Sequence, residues 1–308
     1  MAAGGESDTI DVAIVGGGPA GMSAALVLGR MRRRVVVFDT EAPANAVSHG
    51  VGGLLTRDGT PPAELRAMGR EEIAKYPTVE FRREEVTGAR AAGAGFELDV
   101  GGETVAARKL LLAHGLDYGR PDVPGLEELW GEHAFHCPYC HGWEVRDRRV
   151  AVIATDPRAA HQALLLASVT DRVTVVGDLE LEEEDRRALE GRGLARVAAP
   201  VERVERQGSG VRIELAGSEP LECDAIFIQP EMTLVSDLAE RLGAELTEPG
   251  VVATEMGGAT SVPGLHVAGD AAVAPQSVAV AIGSGSAAAA VMNHALAYAD
   301  ADAAATAG

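Results

Sequence analysis

The chain has 308 residues, enough for two domains of about 150 residues each. Hydrophobic residues make up 46% of it and charged residues 24%, a globular balance that excludes a fibre, a coiled coil and a disordered chain. Twenty-seven Lys and Arg against 46 Asp and Glu leave a net charge of −19, which repels a nucleic-acid backbone, so no nucleic-acid partner is expected.

Met1 to Thr9 lacks the basic and apolar regions of a signal peptide, and no run of about 20 uncharged apolar residues is read along the chain. A cytoplasmic location without a membrane partner is the expectation. Three cysteines do not make a disulfide scaffold.

The β-branched run Ile10 to Val15 predicts a buried parallel strand. Gly16-Gly17-Gly18-Pro19-Ala20-Gly21 follows, then a helix from Met22 to about Arg30 and a strand, Val35 to Phe38, that closes on Asp39. Together these make one βαβ unit. Thr40 to Pro62 is Gly-rich and without period, Ala63 to Tyr76 predicts a helix, and Thr78 to Val105 short strands. Lys109 to Ala113 is another buried strand. Leu116 to Gly125, with two glycines and two prolines, predicts a crossing to a second domain.

That domain opens on Cys137-Pro138-Tyr139-Cys140 and repeats the plan: strand Arg149 to Ile153, helix Pro157 to Ser168, strand Arg172 to Val176, closing strand Leu221 to Ile228. Gln229-Pro230 marks the return. Leu265 to Asp270 is a strand ending on a carboxylate, followed by an Ala-rich helix from Val278 to about Tyr298 and a frayed tail, Asp300 to Gly308. The fold class is α/β: two Rossmann-like, doubly wound, three-layer nucleotide-binding domains, the second (119–232) inserted into the first (1–118 and 233–308).

Gly16-x-Gly18-x-x-Gly21 leaves a strand, opens a helix and meets an acid, Asp39, about 20 residues on. Gly16 permits the tight turn, Gly18 lets backbone approach a pyrophosphate, and Gly21 lets helix and sheet pack closely. The pyrophosphate then sits on the positive end of the helix dipole, and Asp39 accepts ribose hydroxyls. These residues fit NAD or FAD equally. Thr260-Ser261-Val262-Pro263-Gly264-Leu265-His266-Val267-Ala268-Gly269-Asp270 resembles the second flavin motif of the pyridine nucleotide-disulfide oxidoreductases. That resemblance implies FAD, with Asp270 on the ribityl chain. Leu112-Ala113-His114-Gly115 stands where that family has an Ala-Thr-Gly turn, with His114 in place of Thr.

Cys137 and Cys140 are flanked by His136 and His141. Zinc would need a second Cys-x-x-Cys or a spaced His pair, which the chain lacks, so no metal is expected. An inert thiol pair and a redox pair remain. The redox reading has a mechanism: a CxxC pair entering a helix lowers one thiol pKa, and only the thiolate attacks a disulfide or a flavin. Cys223 stands alone in an apolar strand and reads as a small buried hydrophobe.

The order GxGxxG, CxxC, second βαβ unit and PGLHVAGD resembles the low-molecular-weight thioredoxin reductases from Asp11 to Tyr298. Phe135-His136-Cys137-Pro138-Tyr139-Cys140-His141-Gly142-Trp143-Glu144 is similar to one branch of them. His141 stands where thioredoxin reductases carry a general-acid Asp. That branch includes the FAD-dependent dithiol oxidases that close disulfides in natural products such as holomycin and gliotoxin, a role in antibiotic biosynthesis. Asn45-Ala46-Val47-Ser48-His49 resembles its flavin-side loop. The resemblance implies that Cys140 faces the flavin, that Cys137 exchanges with substrate, and that His136 or His141 takes the thiol proton. Flavin contacts fall by the same resemblance to Gly16, Gly18, Pro19, Ala20, Gly21, Asp39, Asn45, Val86, Ala113, Gly115, Asp270, Gln276, Ser277 and Val278. Such relatives are usually homodimers.

The second βαβ unit carries Ala154-Thr155-Asp156-Pro157-Arg158-Ala159-Ala160 at its turn, with no glycine. Each missing glycine puts a Cβ where a pyrophosphate must approach, and Asp156-Pro157 reads as a helix N-cap and first residue. Asp178, Glu180 and Glu182 to Asp185 stand where NADPH would meet arginines, and they repel its 2′-phosphate. A flavin and a dithiol remain without a nicotinamide donor. The expectation is a dithiol oxidase acting on a small-molecule dithiol, with O2 as acceptor and hydrogen peroxide as product. The alternatives are a thioredoxin reductase fed by NADPH or by a carrier such as ferredoxin, and a flavin-binding redox sensor without turnover.

Overall fold

The computed structural model describes residues 9–247 and 250–307; most of the polar lead and Gly308 lie outside the described residues. Strand β1 (Ile10–Val15), helix α1 (Pro19–Arg30) and β2 (Val35–Phe38) form the first βαβ unit. They are followed by α2 (Pro62–Ile73), β3 (Val79–Arg82), β4 (Val86–Ala92), β5 (Gly95–Val100) and β6 (Glu103–Leu112). Next come β7 (Leu116–Gly119), α3 (Leu126–Leu129), β8 (Ala134–Phe135), α4 (Pro138–His141), β9 (Val150–Ile153), α5 (Ala159–Leu166) and β10 (Val173–Val176). Then α6 (Glu183–Gly191), β11 (Ala195–Val197), β12 (Val201–Gln207), β13 (Gly210–Leu215), β14 (Leu221–Cys223) and β15 (Ala225–Ile228) complete the insert. The chain returns through β16 (Glu231–Leu234), α7 (Leu238–Arg241), β17 (Leu265–Val267) and α8 (Val278–Ala307).

Two compact units result. The first holds Met1–Ala46, Ala63–Asp117 and Thr233–Gly308; the second holds Val47–Pro62 and Tyr118–Met232. Residues 47–62, expected with the first domain, group with the second.

In the first unit β3, β2, β1 and β6 lie side by side in parallel, and β5 and β4 extend the sheet antiparallel. One edge of β6 serves two partners, β5 over Glu103–Ala107 and β17 over Leu110–Leu112. That is why the predicted separate strands before and after residue 108 are one strand of ten residues. Side chains alternate across the sheet as the two-residue period requires. Val12, Ile14, Val35, Val37 and Leu111 pack against Ala24, Ala25 and Leu28 of α1 and Ala288, Ala289, Met292 and Leu296 of α8. Ala13, Val15, Val36, Phe38, Leu110 and Leu112 face the other side, with Phe96 and Leu98.

The second unit has a parallel sheet in the order β11, β10, β9, β15, β8, and an antiparallel sheet of β12, β13 and β14. Val150, Val152, Val173, Val175 and Phe227 bury one face against Ala159, Ala160, Ala163 and Leu166 of α5. Ala151, Ile153, Ile226 and Ile228 bury the other against Val204, Val211 and Ile213. The predicted single strand Leu221 to Ile228 is two, one in each sheet. It breaks at Asp224, whose carboxylate accepts the Arg149 backbone N–H at 2.9 Å and pairs with the Arg149 guanidinium.

Two further expectations are corrected at helix ends. The predicted tail from Asp300 is helical through Ala307, because Asp300 is held by Arg33 and Arg108, at 2.6 Å each. Helix α5 begins at Ala159 with Arg158 at its N-cap, so Asp156-Pro157 is not the cap pair. By length and composition alone α8 is long and apolar enough to cross a membrane, a test that a buried core helix also passes. Its apolarity is mostly Ala and Gly, and one face of it is core packing for α1.

The closeness of α1 and α8 rests on Gly285. A Cβ there would collide with the carbonyl oxygen of Ala20 and lie 2.9 Å from its Cα. Backbone cannot rotate away, so Gly285→Ala should cost about 1–3 kcal/mol, the usual penalty of overpacking. A lower melting temperature is the expected outcome, read by thermal unfolding.

Candidate active site

The parallel strands β1, β6 and β17 end level, with Val15 beside Leu112 and Leu112 beside Val267. Their last residues feed three turns at the carboxyl edge of the sheet, where doubly wound folds bind ligands. Gly16 has φ +103°, and a Cβ on it would lie 2.7 Å from the Ala113 carbonyl carbon. A Cβ on Gly21 would strike the Gly16 carbonyl oxygen. Gly18 differs, since nothing lies within 4 Å of where its Cβ would be, and no side chain caps α1 there. Pro19 and Ala20 open the helix.

Asp39 is buried at the end of β2, and its Oδ2 is 2.9 Å from both Arg66 and Arg70, one turn apart on α2. Only the tertiary structure reveals these two arginines. Ala113 and Gly115 flank His114, whose Nδ1 lies 3.1 Å from the Gly115 carbonyl oxygen while its buried Nε2 has no hydrogen-bond partner. Burial lowers the His114 pKa. Gly269 donates its N–H to Ser284 Oγ at 2.9 Å, and Asp270 follows in the same turn. Ser277 Oγ accepts the Val280 N–H at 3.2 Å and caps α8, with Gln276 and Val278 on either side. Val86 is buried at the start of β4, and Asn45 is half-buried in a turn. An open glycine before an uncapped helix start, and a buried imidazole nitrogen without a partner, fit a dinucleotide carrying a second polar ring system.

In the second unit β8 runs directly into the cysteine pair. Cys137 is the N-cap of α4, its Sγ accepting the Cys140 N–H at 3.1 Å, and the two form a disulfide with a Cα separation of 5.3 Å. Loop residue Gly52 lies against Cys140, where a Cβ would come 2.6 Å from the carbonyl oxygen. Tyr139 and Trp143 are 79% and 68% exposed, and the Arg146 guanidinium covers the Trp143 ring at 4.2 Å.

The flanking histidines differ. His136 lies beside Tyr118, with ring centroids 4.9 Å apart, and parallel to Trp130 at 6.0 Å. Burial, helped by the charge of His141, pushes its pKa down to about 4. The buried Gln162 of α5 donates to the His136 carbonyl oxygen at 2.6 Å. His141 stacks on Phe135 at 4.4 Å, with Nε2 3.3 Å from Ser48 Oγ and Nδ1 buried without a partner. Its pKa is lowered by burial, with Glu144 opposing and His49 adding to the shift.

The turn before α5 is already filled. Asp156 accepts the Arg158 backbone N–H at 2.8 Å and the Arg158 guanidinium at 2.7 and 3.0 Å. Arg158 in turn reaches the Pro230 carbonyl oxygen at 3.3 Å. Beyond β10, Glu183, Glu184 and Asp185 form the first turn of α6, and Arg186 and Arg187 pair with Glu183.

Residues 10–285 match the pyridine nucleotide-disulphide oxidoreductases. The chain belongs to that family. It is 31% identical over 292 residues to thioredoxin reductase sirT of Leptosphaeria maculans, covering 87% of this chain and 88% of sirT. Thioredoxin reductase tcpT of Claviceps purpurea (strain 20.1) is 34% identical, covering 86% and 87%. The crystal structure of HlmI superposes with a TM-score of 0.93 at 38% identity, over 98% of this chain and 97% of that one. The fold is therefore thioredoxin reductase-like, and this pyridine nucleotide-disulphide oxidoreductase is a flavoprotein.

The structure brings Gly16, Gly18, Gly21, Asp39, Ala113, Gly115 and Asp270 to one edge of the first unit, and Cys137, Cys140, His136 and His141 to one turn of the second. Gln162, Tyr118 and Trp130 around His136, and Ser48 on His141, carry no local sequence signal.

His136 should make this oxidoreductase acid-sensitive. Its folded pKa of about 4 lies below the ordinary value of 6.5. Between the two, the unfolded chain binds the proton and the folded chain does not, so stability rises with pH. The contribution is complete above 6.5 and is lost as pH falls toward 4, on the order of 3 kcal/mol in all. His136→Phe keeps an aromatic ring between Tyr118 and Trp130 and removes the titration. Urea unfolding across that range should show a shallower pH dependence for the variant than for the wild type.

Proposed function

We propose that this oxidoreductase is a FAD-dependent dithiol oxidase that closes a disulfide in a small-molecule dithiol of natural-product type and delivers the electrons to dioxygen. The observation that carries the reading is the turn before α5. Asp156 takes the Arg158 backbone N–H and pairs with its guanidinium, so a carboxylate stands in the turn that a nicotinamide pyrophosphate would have to approach, and its charge disfavours one. The exposed Tyr139 and Trp143 beside the disulfide suit a compact, partly apolar substrate.

One substrate thiol gives its proton to His141 and its sulfur bonds to Cys137 Sγ, while Cys140 leaves as the thiolate. The second substrate thiol then attacks the substrate sulfur of the mixed disulfide, the bond to Cys137 breaks and Cys137 departs with that thiol's proton, so the substrate leaves oxidised and the enzyme pair is reduced by two electrons. The turns at Gly16, Ala113 and Asp270 would hold FAD, which when bound would supply the two-electron acceptor for the reduced pair, with O2 as the final acceptor and hydrogen peroxide as the product. Burial keeps His141 neutral near pH 7 and hence able to accept a proton. The pKa near 4 of His136, and its place between two rings, suit packing rather than proton transfer.

A second reading, reduction of thioredoxin, is favoured by the names of the relatives sirT and tcpT. Dithiothreitol-dependent oxygen uptake by the FAD-loaded protein separates the two, because the oxidase needs no thioredoxin. Cys137→Ser and Cys140→Ser should each reduce uptake to background, and the lone Cys137 thiolate of Cys140→Ser should attack an added linear disulfide such as hydroxyethyl disulfide, release mercaptoethanol and keep the other half as a mixed disulfide visible by mass spectrometry. Full uptake by either variant would end the relay. Under anaerobic conditions neither NADPH nor NADH at micromolar concentration should bleach the flavin absorbance, whereas dithiothreitol should; rapid bleaching by NADPH would restore the nicotinamide-fed alternative.

A further inference from the structure

The loop from Val47 to Pro62 belongs to the second unit, closed on itself by the Val51–Thr60 bridge and seated on Cys140 at Gly52. It brings one side chain, Ser48, to His141. A serine hydroxyl carries a single proton, and that of Ser48 is donated to the Gly50 carbonyl oxygen at 2.8 Å, an atom that can only accept. Toward His141 Nε2, 3.3 Å away, Ser48 Oγ can therefore only accept. Nε2 must carry the hydrogen. In a neutral imidazole the other nitrogen then has the lone pair, and Nδ1 is buried with no donor bonded to it.

We propose that Ser48 is a positioning residue that fixes His141 as the Nε2–H tautomer, leaving Nδ1 as the base for the substrate thiol. The assignment of the base rests on the dithiol-oxidase reading; the tautomer does not. In the transfer the substrate S–H bond breaks, its proton bonds to Nδ1, the sulfur bonds to Cys137 Sγ, and Cys140 departs with the electron pair of the S–S bond. The imidazolium keeps its Nε2–H on Ser48, so no rotation of the ring is needed.

The charged or titratable groups acting on His141 are Glu144, which favours its protonation, and His49, which opposes it; His136 couples to it from the preceding turn. Phe135 stacks on the ring and carries no charge. All four stay unchanged in the variants used below.

The test begins with the tautomer, measured on FAD-loaded protein carrying 15N-labelled histidine, with His141→Gln to assign the signals. The wild type near pH 7.5 should show a protonated, pyrrole-like Nε2 and an imine-like Nδ1, and Ser48→Ala should lose that preference. A pyrrole-like Nδ1 in the wild type, or an unchanged pattern in Ser48→Ala, would overturn the proposal whether or not the protein oxidises dithiols.

The second measurement is the pH profile of dithiothreitol-dependent oxygen uptake. Ser48→Ala should lower kcat about threefold to tenfold, the equivalent of one neutral hydrogen bond, and Ser48→Thr should restore it. The Ser48 acceptor binds the imidazolium more strongly than the neutral ring, so its loss should move the acid limb of kcat/KM to lower pH. Mere loosening of the loop would do the reverse, since water reaching His141 would raise its pKa toward the ordinary value. A shift to higher pH, or no shift with wild-type kcat, would show that Ser48 acts only on loop structure. A normal tautomer result with no dithiol oxidation by any variant would remove the dithiol-oxidase reading and leave the Ser48–His141 bond standing.

Discussion

Backbone N–H groups at a strand-to-helix turn can be satisfied by the protein's own carboxylate or by a bound phosphate, and not by both at once. The two units differ in whether such a turn holds a carboxylate of its own. The turn before α1 has an open glycine at Gly18, no side-chain cap, and an acid, Asp39, set back at the end of the neighbouring strand. The turn before α5 has its acid inside it, and Asp156 consumes both an N–H and the guanidinium of Arg158. Two topologically similar sheets thus end in one turn free of carboxylates and one that holds Asp156.

Burial governs the acid–base character of the site in a chain of net charge −19. Solvent-exposed histidines in such a field would be drawn toward protonation. His136 and His141 are instead held neutral because aromatic rings replace their water: Tyr118 and Trp130 for the first, Phe135 for the second. Desolvation outweighs the charge of Glu144, which favours the protonated form of His141. Neutral imidazole is the form that can accept a proton, so the packing around the disulfide turn sets the acid–base state of its flanking histidines.

Small residues do the corresponding work in the first unit. Gly21 lets α1 approach the Gly16 turn, and Gly285 lets α8 approach α1, so two helices converge where the glycine turn opens. The Ala-rich composition of α8 serves this proximity. Its far end is fixed by ion pairs from Arg33 and Arg108 to Asp300. Each such exposed pair contributes little alone, but several sharing one carboxylate and its neighbour Asp11 form a network that holds the last turns.

Local chemistry made much of this legible in the sequence. The glycine turn with Asp39, the CxxC pair and the glycine-free second turn are short-range patterns whose meaning is fixed by backbone sterics and charge, and the fold class followed from them. Strand boundaries were less legible, because β6 pairs with two partners and Asp224 divides a continuous apolar run between two sheets. Arg66 and Arg70 on Asp39, Gln162 on the His136 carbonyl and Ser48 on His141 could be read only from the structure. The sequence by itself determined which residues can carry the chemistry, since that depends on residue type and short spacing. Tertiary structure decided which of them are paired, because these hydrogen bonds come from residues 26 to 93 positions away, a separation that local sequence pattern does not encode.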